Sequence, residues 1–143
     1  MKVEELKRDS MDILNYLSEN DNNFIPPLSS RVKLEEYAKK IYKHSVQLWV
    51  KHEHEFVGFC ALYVNPEFTY ISTISIVDKY KGVGAGKRLL NKVIDVTKRN
   101  FINEIRLEIQ DKNKKVKSFY LKKGFTPVKD KKNMFKLIIE NEK

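Results

Sequence analysis

The sequence predicts a single-domain α/β protein built on one mixed sheet, and three observations lead to this fold class. The chain has 143 residues, of which 41% are hydrophobic and 33% charged, as expected of one globular domain with a proper core. Alternating apolar segments between residues 46 and 77 predict antiparallel hairpins. A strand, a glycine loop, a helix and a second strand between residues 69 and 109 predict a crossover, and therefore a central pair of adjacent parallel strands.

Two helices are expected near the N-terminus. Apolar residues at helical spacing predict the first helix over residues 1–20, with Ser10 as a plausible N-cap. Asn and Asp residues then break this helix, and the Pro26–Pro27 pair forces extended backbone, so the segment that follows should form a loop. Ser30 can cap a second helix over residues 32–44.

Strands and helices alternate through the rest of the chain. Period-two alternation predicts the strands, and apolar residues at helical spacing predict the helices. Gly124 is placed to end the last helix, as a glycine after a helix C-terminus commonly does. The predicted segments are strands over residues 46–50, 56–64 and 69–77, a helix over 84–99, a strand over 104–109, a helix over 113–123, and strands over 125–128 and 134–139.

Composition restricts the function classes. No apolar run approaches the roughly 20 residues that a membrane span needs, and the first residues mix acids with bases and lack an apolar signal core. We therefore expect a cytoplasmic protein with no membrane association. Cys60 is the single cysteine; it cannot form an internal disulfide, and its apolar strand-like surroundings favour a core cysteine over a nucleophile.

The formal net charge of +9 raises the hypothesis of nucleic-acid binding. Lysine supplies nearly all of this charge, whereas bidentate recognition of bases and phosphates favours arginine. Few aromatic residues interleave the lysines, so we rank nucleic acid last among the partners. A solvated lysine-rich face, or an electrostatic funnel for a polyphosphate ligand, accounts better for the lysines that crowd residues 112–132.

Three alternating glycines, Gly82, Gly84 and Gly86, follow the predicted strand that ends near residue 77. Glycine permits tight turns and leaves the backbone N–H groups unshielded, so several amides can point together at the positive end of the next helix. Such an arrangement binds anions. A dinucleotide-binding fold is the competing interpretation, but its fingerprint is Gly-x-Gly-x-x-Gly, and only one βαβ unit is predicted here.

The glycines stand within a longer motif. Residues 76–80 read Ile-Val-Asp-Lys-Tyr, and residues 81–86 read Lys-Gly-Val-Gly-Ala-Gly before the helix. A second motif places Asn113 at the start of a helix, Tyr120 near its end, and the pair Gly124–Phe125 after it. Either motif alone is weak evidence, and it is their combination at this distance that carries information.

At this spacing the two motifs resemble the GNAT superfamily of N-acetyltransferases, which use acetyl-coenzyme A. Two positions depart from the family pattern: Asp78 replaces the usual proline, and Lys81 replaces the usual arginine or glutamine. The resemblance covers residues 47–139, which should form the acetyl-CoA-binding core of one domain spanning residues 1–143. Residues 1–46 diverge from the family and should form a helical region on the acceptor side.

The resemblance implies how acetyl-CoA, the expected co-substrate, would be held. The glycine-loop amides would hold the pyrophosphate, and the strand before the loop would pair with pantetheine and stabilise the oxyanion through a backbone N–H. Asn113 would lie near pantetheine, and it could equally be a simple helix N-cap. The implied cofactor-binding residues are Ile74, Ser75, Ile76, Lys81, Gly82, Val83, Gly84, Ala85, Gly86, Lys87 and Asn113.

Tyr120 is the implied catalytic residue, a general acid that protonates the departing coenzyme A thiolate. A phenol with a pKa of about 10 and a thiol with a pKa of about 8.5 are close enough to share the proton. From the residues alone, Tyr120 reads equally well as a core tyrosine of an amphipathic helix. The general base is left open among Glu67, Asp78, Glu108 and water, because spacing singles out none of the three carboxylates.

Apolar loop residues either dock onto the core or line a pocket, and Phe24, Ile25 and Leu28 are therefore the candidate substrate-binding residues. We expect direct transfer of an acetyl group to a primary amine in a ternary complex, with a small-molecule amine such as an amino sugar as the first hypothesis. The alternatives are acetylation of a protein N-terminus or lysine, a non-catalytic acyl-CoA-binding sensor, and a basic nucleic-acid-binding module.

Other site types receive less support. His52 and His54 fall in a predicted hairpin turn without a third ligand, so a solvated turn is favoured over a metal pair and no metal is expected. Dimers are common in the resembled family, so a homodimer is compatible with the resemblance, although no residue of this chain indicates one.

Overall fold

The computed structural model describes residues 1–140 and contains one seven-stranded mixed sheet. The strands are β1 (Lys2–Glu5), β2 (Val46–His52), β3 (Glu55–Val64), β4 (Thr69–Ile76), β5 (Glu104–Glu108), β6 (Thr126–Pro127) and β7 (Met134–Ile138). The α-helices are α1 (Ser10–Glu19), α2 (Leu34–His44), α3 (Ala85–Arg99) and α4 (Lys114–Lys122). The strand order is β1-β2-β3-β4-β5-β7-β6, and only the β4–β5 pair is parallel. The predicted fold class is confirmed.

The prediction of a helix over residues 1–20 is wrong for its first part, so the region 1–46 is not wholly helical. Lys2–Glu5 forms the edge strand β1, which pairs antiparallel with residues 48–51 of β2. Helix α1 begins only at Ser10, and its N-cap is Asp9, whose carboxylate accepts a hydrogen bond from the Asp12 N–H at 2.9 Å. A strand of four residues gives only a weak alternating pattern, and the helical spacing of the residues that follow dominated the prediction.

The second helix begins two residues later than predicted. Helix α2 begins at Leu34, with Lys33 at its N-cap and no side-chain capping bond. Ser30 lies instead in a 3₁₀ turn, Leu28–Ser30, where its hydroxyl donates to the Pro27 carbonyl at 2.5 Å. The loop between α1 and α2 is thus locally ordered by its own hydrogen bonds, and Leu28 is buried beneath it.

Two apolar cores lie on opposite faces of the sheet. Because successive strand residues point to opposite faces, Leu48 packs with α3 and α4 while its neighbour Trp49 packs with α1 and α2. Cys60 belongs to the α3 and α4 face and is fully buried. Burial raises the pKa of its thiol, which agrees with the interpretation of a core cysteine.

The parallel strands β4 and β5 separate soon after they meet. They pair only from Thr69 opposite Ile105 to Ile71 opposite Leu107, whereas β4 continues to Ile76. A register shift against β3 leaves Ser72 as an extra residue in β4, which is a β-bulge. From Ser72 onward, the edge of β4 that faces β5 therefore has no ladder partner within the described chain.

The remaining predicted elements agree with the structure to within one or two residues. Gly124 follows α4 with φ +98°, as expected of a glycine that ends a helix. None of the helices within residues 1–140 combines the length and hydrophobicity that crossing a membrane requires.

Candidate active site

A cleft of about 990 Å³ occupies the gap between β4 and β5. The loop between α1 and α2 lines one end, and the glycine loop, the start of α3 and one side of α4 line the other. The cleft brings together the predicted residues Phe24, Ile25, Leu28, Ile74, Ser75, Ile76, Lys81, Gly82, Gly84, Gly86, Lys87, Asn113 and Tyr120. Val83 and Ala85 do not line it, because the side chain of Val83 is exposed and Ala85 is buried in the first turn of α3.

The glycine loop turns through backbone conformations that favour glycine. Gly82 and Gly84 have φ angles of +81° and +88°. No atom lies within 4 Å of the position that a Cβ would take at either residue. Gly84 is the N-cap of α3 and brings no side-chain acceptor, so the first N–H groups of this 15-residue helix remain without an intrahelical partner. The arrangement can therefore hold an anion.

The two residues that depart from the resembled motif contact each other. Lys81 Nζ lies 2.7 Å from Asp78 Oδ1, in the turn between β4 and the glycine loop. Lys81 lines the cleft, whereas Asp78 does not. The pair is largely exposed, so it contributes little to stability. Asp78 is therefore paired with a cation and does not itself line the cleft, which argues against Asp78 as the general base.

Two buried tyrosines hold β4 from the side of α1 and α2. The Tyr16 hydroxyl lies 2.9 Å from Ser75 Oγ, and the Tyr37 hydroxyl lies 2.5 Å from Ser72 Oγ at the bulge. Burial raises the pKa of Tyr16 to about 12, and it also raises the pKa of Tyr37. Both phenols therefore stay protonated at neutral pH and fix the part of β4 that has no partner on its β5 side.

Tyr120 lies on the face of α4 that turns toward the sheet and borders the cleft. Only 3% of the residue is exposed, and its ring makes edge contacts with Phe119 and Phe125, each at a centroid distance of 5.1 Å. Burial raises its pKa above that of an ordinary phenol, so Tyr120 remains a proton donor throughout the neutral and mildly alkaline range. Tyr120 is thus a core residue that also faces the cleft. Its role as a general acid stays a prediction, and the raised pKa widens the difference from the thiol pKa, which the sequence alone indicated to be small.

Asn113 occupies the N-cap position of α4, but its side chain makes no capping hydrogen bond. Its backbone carbonyl accepts the first helical hydrogen bond, from the Lys117 N–H at 3.0 Å. The side-chain amide is therefore not committed to the helix end, and Asn113 lines the cleft beside Lys112 and Lys114.

The other end of the cleft combines apolar residues with two opposite charges. The apolar residues are Phe24, Ile25 and Leu28, and they line this end together with Tyr70, Arg31 and Glu108. Glu108 comes directly after the part of β5 that pairs with β4. Burial and the charge of Glu108 raise the pKa of Tyr70, and the charge of Arg31 opposes this rise. Glu108 and Arg31 therefore both lie close enough to Tyr70 to change its pKa.

Glu108 is the one candidate base, of the three expected from the sequence, that lines the cleft. It is exposed, and it accepts a hydrogen bond from Gln110 Nε2 at 3.0 Å. Glu67 is exposed in the turn between β3 and β4, outside the cleft lining. Within residues 1–140 no group of three or more His, Cys, Asp or Glu side chains is arranged to hold a metal ion.

Several cleft residues were not singled out from the sequence. Thr73 is the most informative, since its Oγ1 is buried and has no hydrogen-bond partner within the described residues. The cleft residues that follow β5 could have been predicted from the sequence, because ligands of α/β sheets bind beyond the carboxyl ends of parallel strands. The additional lining residues include Asn23, Arg31, Tyr70, Ser72, Thr73, Tyr80, Gln110, Lys112, Lys115 and Phe119.

The glycine loop, the unpartnered edge of β4 and the buried Tyr120 lie along one cleft, which is the arrangement that the resemblance to acetyl-CoA-dependent transferases predicts. The model of the acetyltransferase (GNAT) family matches residues 11–125. The chain therefore belongs to the GNAT family of acetyltransferases, and the predicted class of enzyme, an N-acetyltransferase of GNAT type, is confirmed.

Relatives and solved structures agree with this assignment. The chain is 31% identical over 102 residues to N-alpha-acetyltransferase 30 of Schizosaccharomyces pombe, covering 64% of this chain and 68% of that protein. The ribosomal-protein-S18-alanine N-acetyltransferase of Escherichia coli has a similar fold, with a TM-score of 0.77, 16% identity, and 99% and 96% of the two chains covered. A GNAT acetyltransferase of Elizabethkingia anophelis with acetyl-CoA bound has a TM-score of 0.63 at 22% identity, with 74% and 82% covered.

Proposed function

We propose that this protein transfers the acetyl group of acetyl-CoA to a primary amine by direct attack in a ternary complex. The observation that carries the proposal is the cleft across the free edge of β4, which joins the glycine loop to the loop at Phe24–Leu28 without interruption. Donor and acceptor can then meet over β4, with no need for a covalent enzyme intermediate. Cys60 is fully buried, which supports direct transfer over an acetyl-cysteine route.

Three features of the donor half fit acetyl-CoA. The free amides at the start of α3 and the open space outside Gly82 and Gly84 suit a pyrophosphate. Lys81, Lys87 and the lysines at the start of α4 supply positive charge along the same wall. The unpaired edge of β4 offers backbone donors and acceptors to the amides of pantetheine. A related GNAT structure holds acetyl-CoA, which supports the same co-substrate here.

Three groups carry the proposed chemistry. Glu108 accepts the proton of the attacking amine, directly or through one water. A backbone N–H at the free edge of β4 donates a hydrogen bond to the carbonyl oxygen as negative charge develops on it. When the carbon–sulfur bond breaks, Tyr120 donates its proton to the leaving thiolate. Before the next turnover Glu108 releases a proton to solvent and Tyr120 regains one.

As acceptor we favour the α-amine of a polypeptide N-terminus. The relative in Schizosaccharomyces pombe is an N-alpha-acetyltransferase, and the acceptor end of the cleft is open, because Arg31 is exposed and Ile25 is 48% exposed. An α-amine also has a pKa of about 8, so it requires less help from a base than an alkyl amine does. A small-molecule amine such as an amino sugar is the second candidate, because Phe24, Ile25 and Leu28 line this end of the cleft with apolar side chains.

The test is an acetylation assay that measures release of the coenzyme A thiol with short peptides and a panel of small amines. We expect Tyr120→Phe to lower kcat by about 100-fold while the KM for acetyl-CoA changes little. Tyr42→Phe is the matched control, since Tyr42 is a partly exposed tyrosine outside the cleft. No release with any amine would refute the transferase function, and full kcat in the Tyr120 variant would remove Tyr120 from the mechanism.

A further inference from the structure

Arg31 differs from every other arginine of the chain in its contacts. The remaining four each have a partner: Arg8 pairs with Asp12, Arg99 with Glu5, Arg106 with Glu104, and Arg88 donates to the Met1 carbonyl. The Arg31 guanidinium has no hydrogen-bond or ion-pair partner within residues 1–140. It nevertheless lies on the wall of the cleft, at its acceptor end.

The backbone around Arg31 is held by hydrogen bonds and by the burial of a neighbouring side chain. Leu28 is buried, and the N–H groups of Arg31 and Val32 both donate to the Leu28 carbonyl, at 3.0 and 3.1 Å. The nearby carboxylate of Asp21 is already engaged by the N–H and the hydroxyl of Ser29, at 2.7 and 2.5 Å. The loop therefore holds a guanidinium at the cleft while its own acid is occupied elsewhere.

Arg31 also lies at the same end of the cleft as the proposed base, Glu108. Arg31 and Glu108 both line the acceptor end, and each changes the pKa of Tyr70, in opposite directions. An amine at Glu108 would thus extend toward Arg31 past the aromatic ring of Tyr70. A guanidinium has a fork of donors that matches carboxylates and phosphates, and it is the usual partner for such groups at binding sites.

We propose that Arg31 forms an anion-binding subsite that selects acceptors carrying a carboxylate or phosphate close to the reacting amine. This inference rests on the proposed acetyl transfer and specifies its acceptor class. For a polypeptide acceptor, the anionic group is an acidic side chain at the first or second residue. For a small-molecule acceptor, it is a carboxylate or phosphate on the amine itself.

The experiment compares kcat/KM for matched acceptors that differ in one charge. Two peptides that begin Ala-Asp and Ala-Asn distinguish the polypeptide source, and glucosamine 6-phosphate against glucosamine distinguishes the small-molecule source. We expect a preference of about tenfold for the anionic member of at least one pair, which falls as salt is added. Arg31→Gln should abolish this preference by raising the KM for the anionic member much more than the KM for the neutral member. Arg31→Glu should reverse it in favour of a peptide that begins Ala-Lys.

Lys33→Gln is the control, because Lys33 is an exposed cation two residues away that does not line the cleft. It should leave the preference unchanged. Equal rates for both members of each pair, or an equal loss for both in Arg31→Gln, would overturn the subsite while acetylation of the neutral acceptors still upheld the transferase. Failure of every amine to release coenzyme A would overturn the transferase and the subsite together.

Discussion

The halves of the cleft that are proposed to hold the donor and the acceptor are built by different means. The donor half relies on backbone groups: glycines in left-handed conformations, free amides at the start of α3, and the unpaired edge of β4. The acceptor half relies on side chains from separate segments, namely the loop at Phe24–Arg31, Tyr70 and Glu108. Because a backbone site needs particular residues at fixed spacing, it leaves a motif in the sequence. A side-chain site assembled from distant segments leaves none.

The two halves also differ in charge. Residues 112–136 contain ten lysines and one aspartate, so this segment accounts for the whole formal net charge of +9, and the rest of the chain is balanced. Lys112, Lys114 and Lys115 from this segment line the donor half. An excess of charge there gives general attraction for a polyanionic donor. At the other end of the cleft, single charges such as Glu108 and Arg31 are instead proposed to determine which amine reacts.

Glu108→Gln should produce the largest effect, since it removes the proposed base from the acceptor half and leaves the residues of the donor half unchanged. We expect kcat/KM at pH 7 to fall by about 100-fold and the KM for acetyl-CoA to stay constant. The deficit should shrink as pH rises, because a growing fraction of the amine is then already neutral. Glu67→Gln, at the exposed candidate outside the cleft, should behave as wild type. A pH-independent loss, or one shared by the Glu67 variant, would contradict this role.

Gly84→Ala tests the donor half and should have the next largest effect. A Cβ at φ +88° costs about 1–2 kcal/mol of stability, and it would stand where the pyrophosphate is proposed to bind. We expect the KM for acetyl-CoA to rise by about tenfold or more. Gly124→Ala is matched, since Gly124 has φ +98° but does not line the cleft. It should lose similar stability in urea unfolding without a change in KM, and a rise in KM for both variants would point to strain alone.

Tyr37→Phe tests the coupling between the two halves, because its hydroxyl joins α2 on the acceptor side to Ser72 in β4. Loss of this hydrogen bond should lower the free energy of unfolding by about 1 kcal/mol. Without this contact the bulge in β4 is less firmly positioned, so we also expect kcat to fall by a few-fold. Chemical denaturation and steady-state kinetics of the same preparation measure both effects. A stability loss with unchanged kcat would mean that the bulge is positioned by the sheet alone.

Phe101 lies outside both halves of the cleft. Phe101→Gly should have the smallest effect, and it should raise stability rather than lower it. Phe101 follows α3 with φ +60° and is 96% exposed. Glycine relieves the strained backbone and loses little packing, so we expect stability to rise by up to about 1 kcal/mol with unchanged kinetics. A loss of stability would show that the aromatic ring makes a stabilising contact.

The sequence sufficed for the elements that have strong local signals. The glycine spacing, the long amphipathic α3 and the crossover to β5 together predicted the parallel pair and the class of ligand. Strand β1 was missed because four edge residues are held by pairing with β2, a long-range interaction. The positions of Arg31 and Glu108 at one cleft end depend on how β4 and β5 separate, which no local pattern in the sequence encodes. Choosing among three carboxylates therefore required the structure.

The burial of Cys60 has a practical consequence for every assay described above. Transfer releases a free thiol on coenzyme A, which aromatic disulfide reagents detect by colour. A fully buried thiol with a raised pKa does not react with such reagents while the fold is intact. The native enzyme should thus give no colour of its own, so the signal counts turnovers only. After denaturation the same reagent should titrate one thiol per chain, which makes Cys60 an internal standard for the concentration of enzyme.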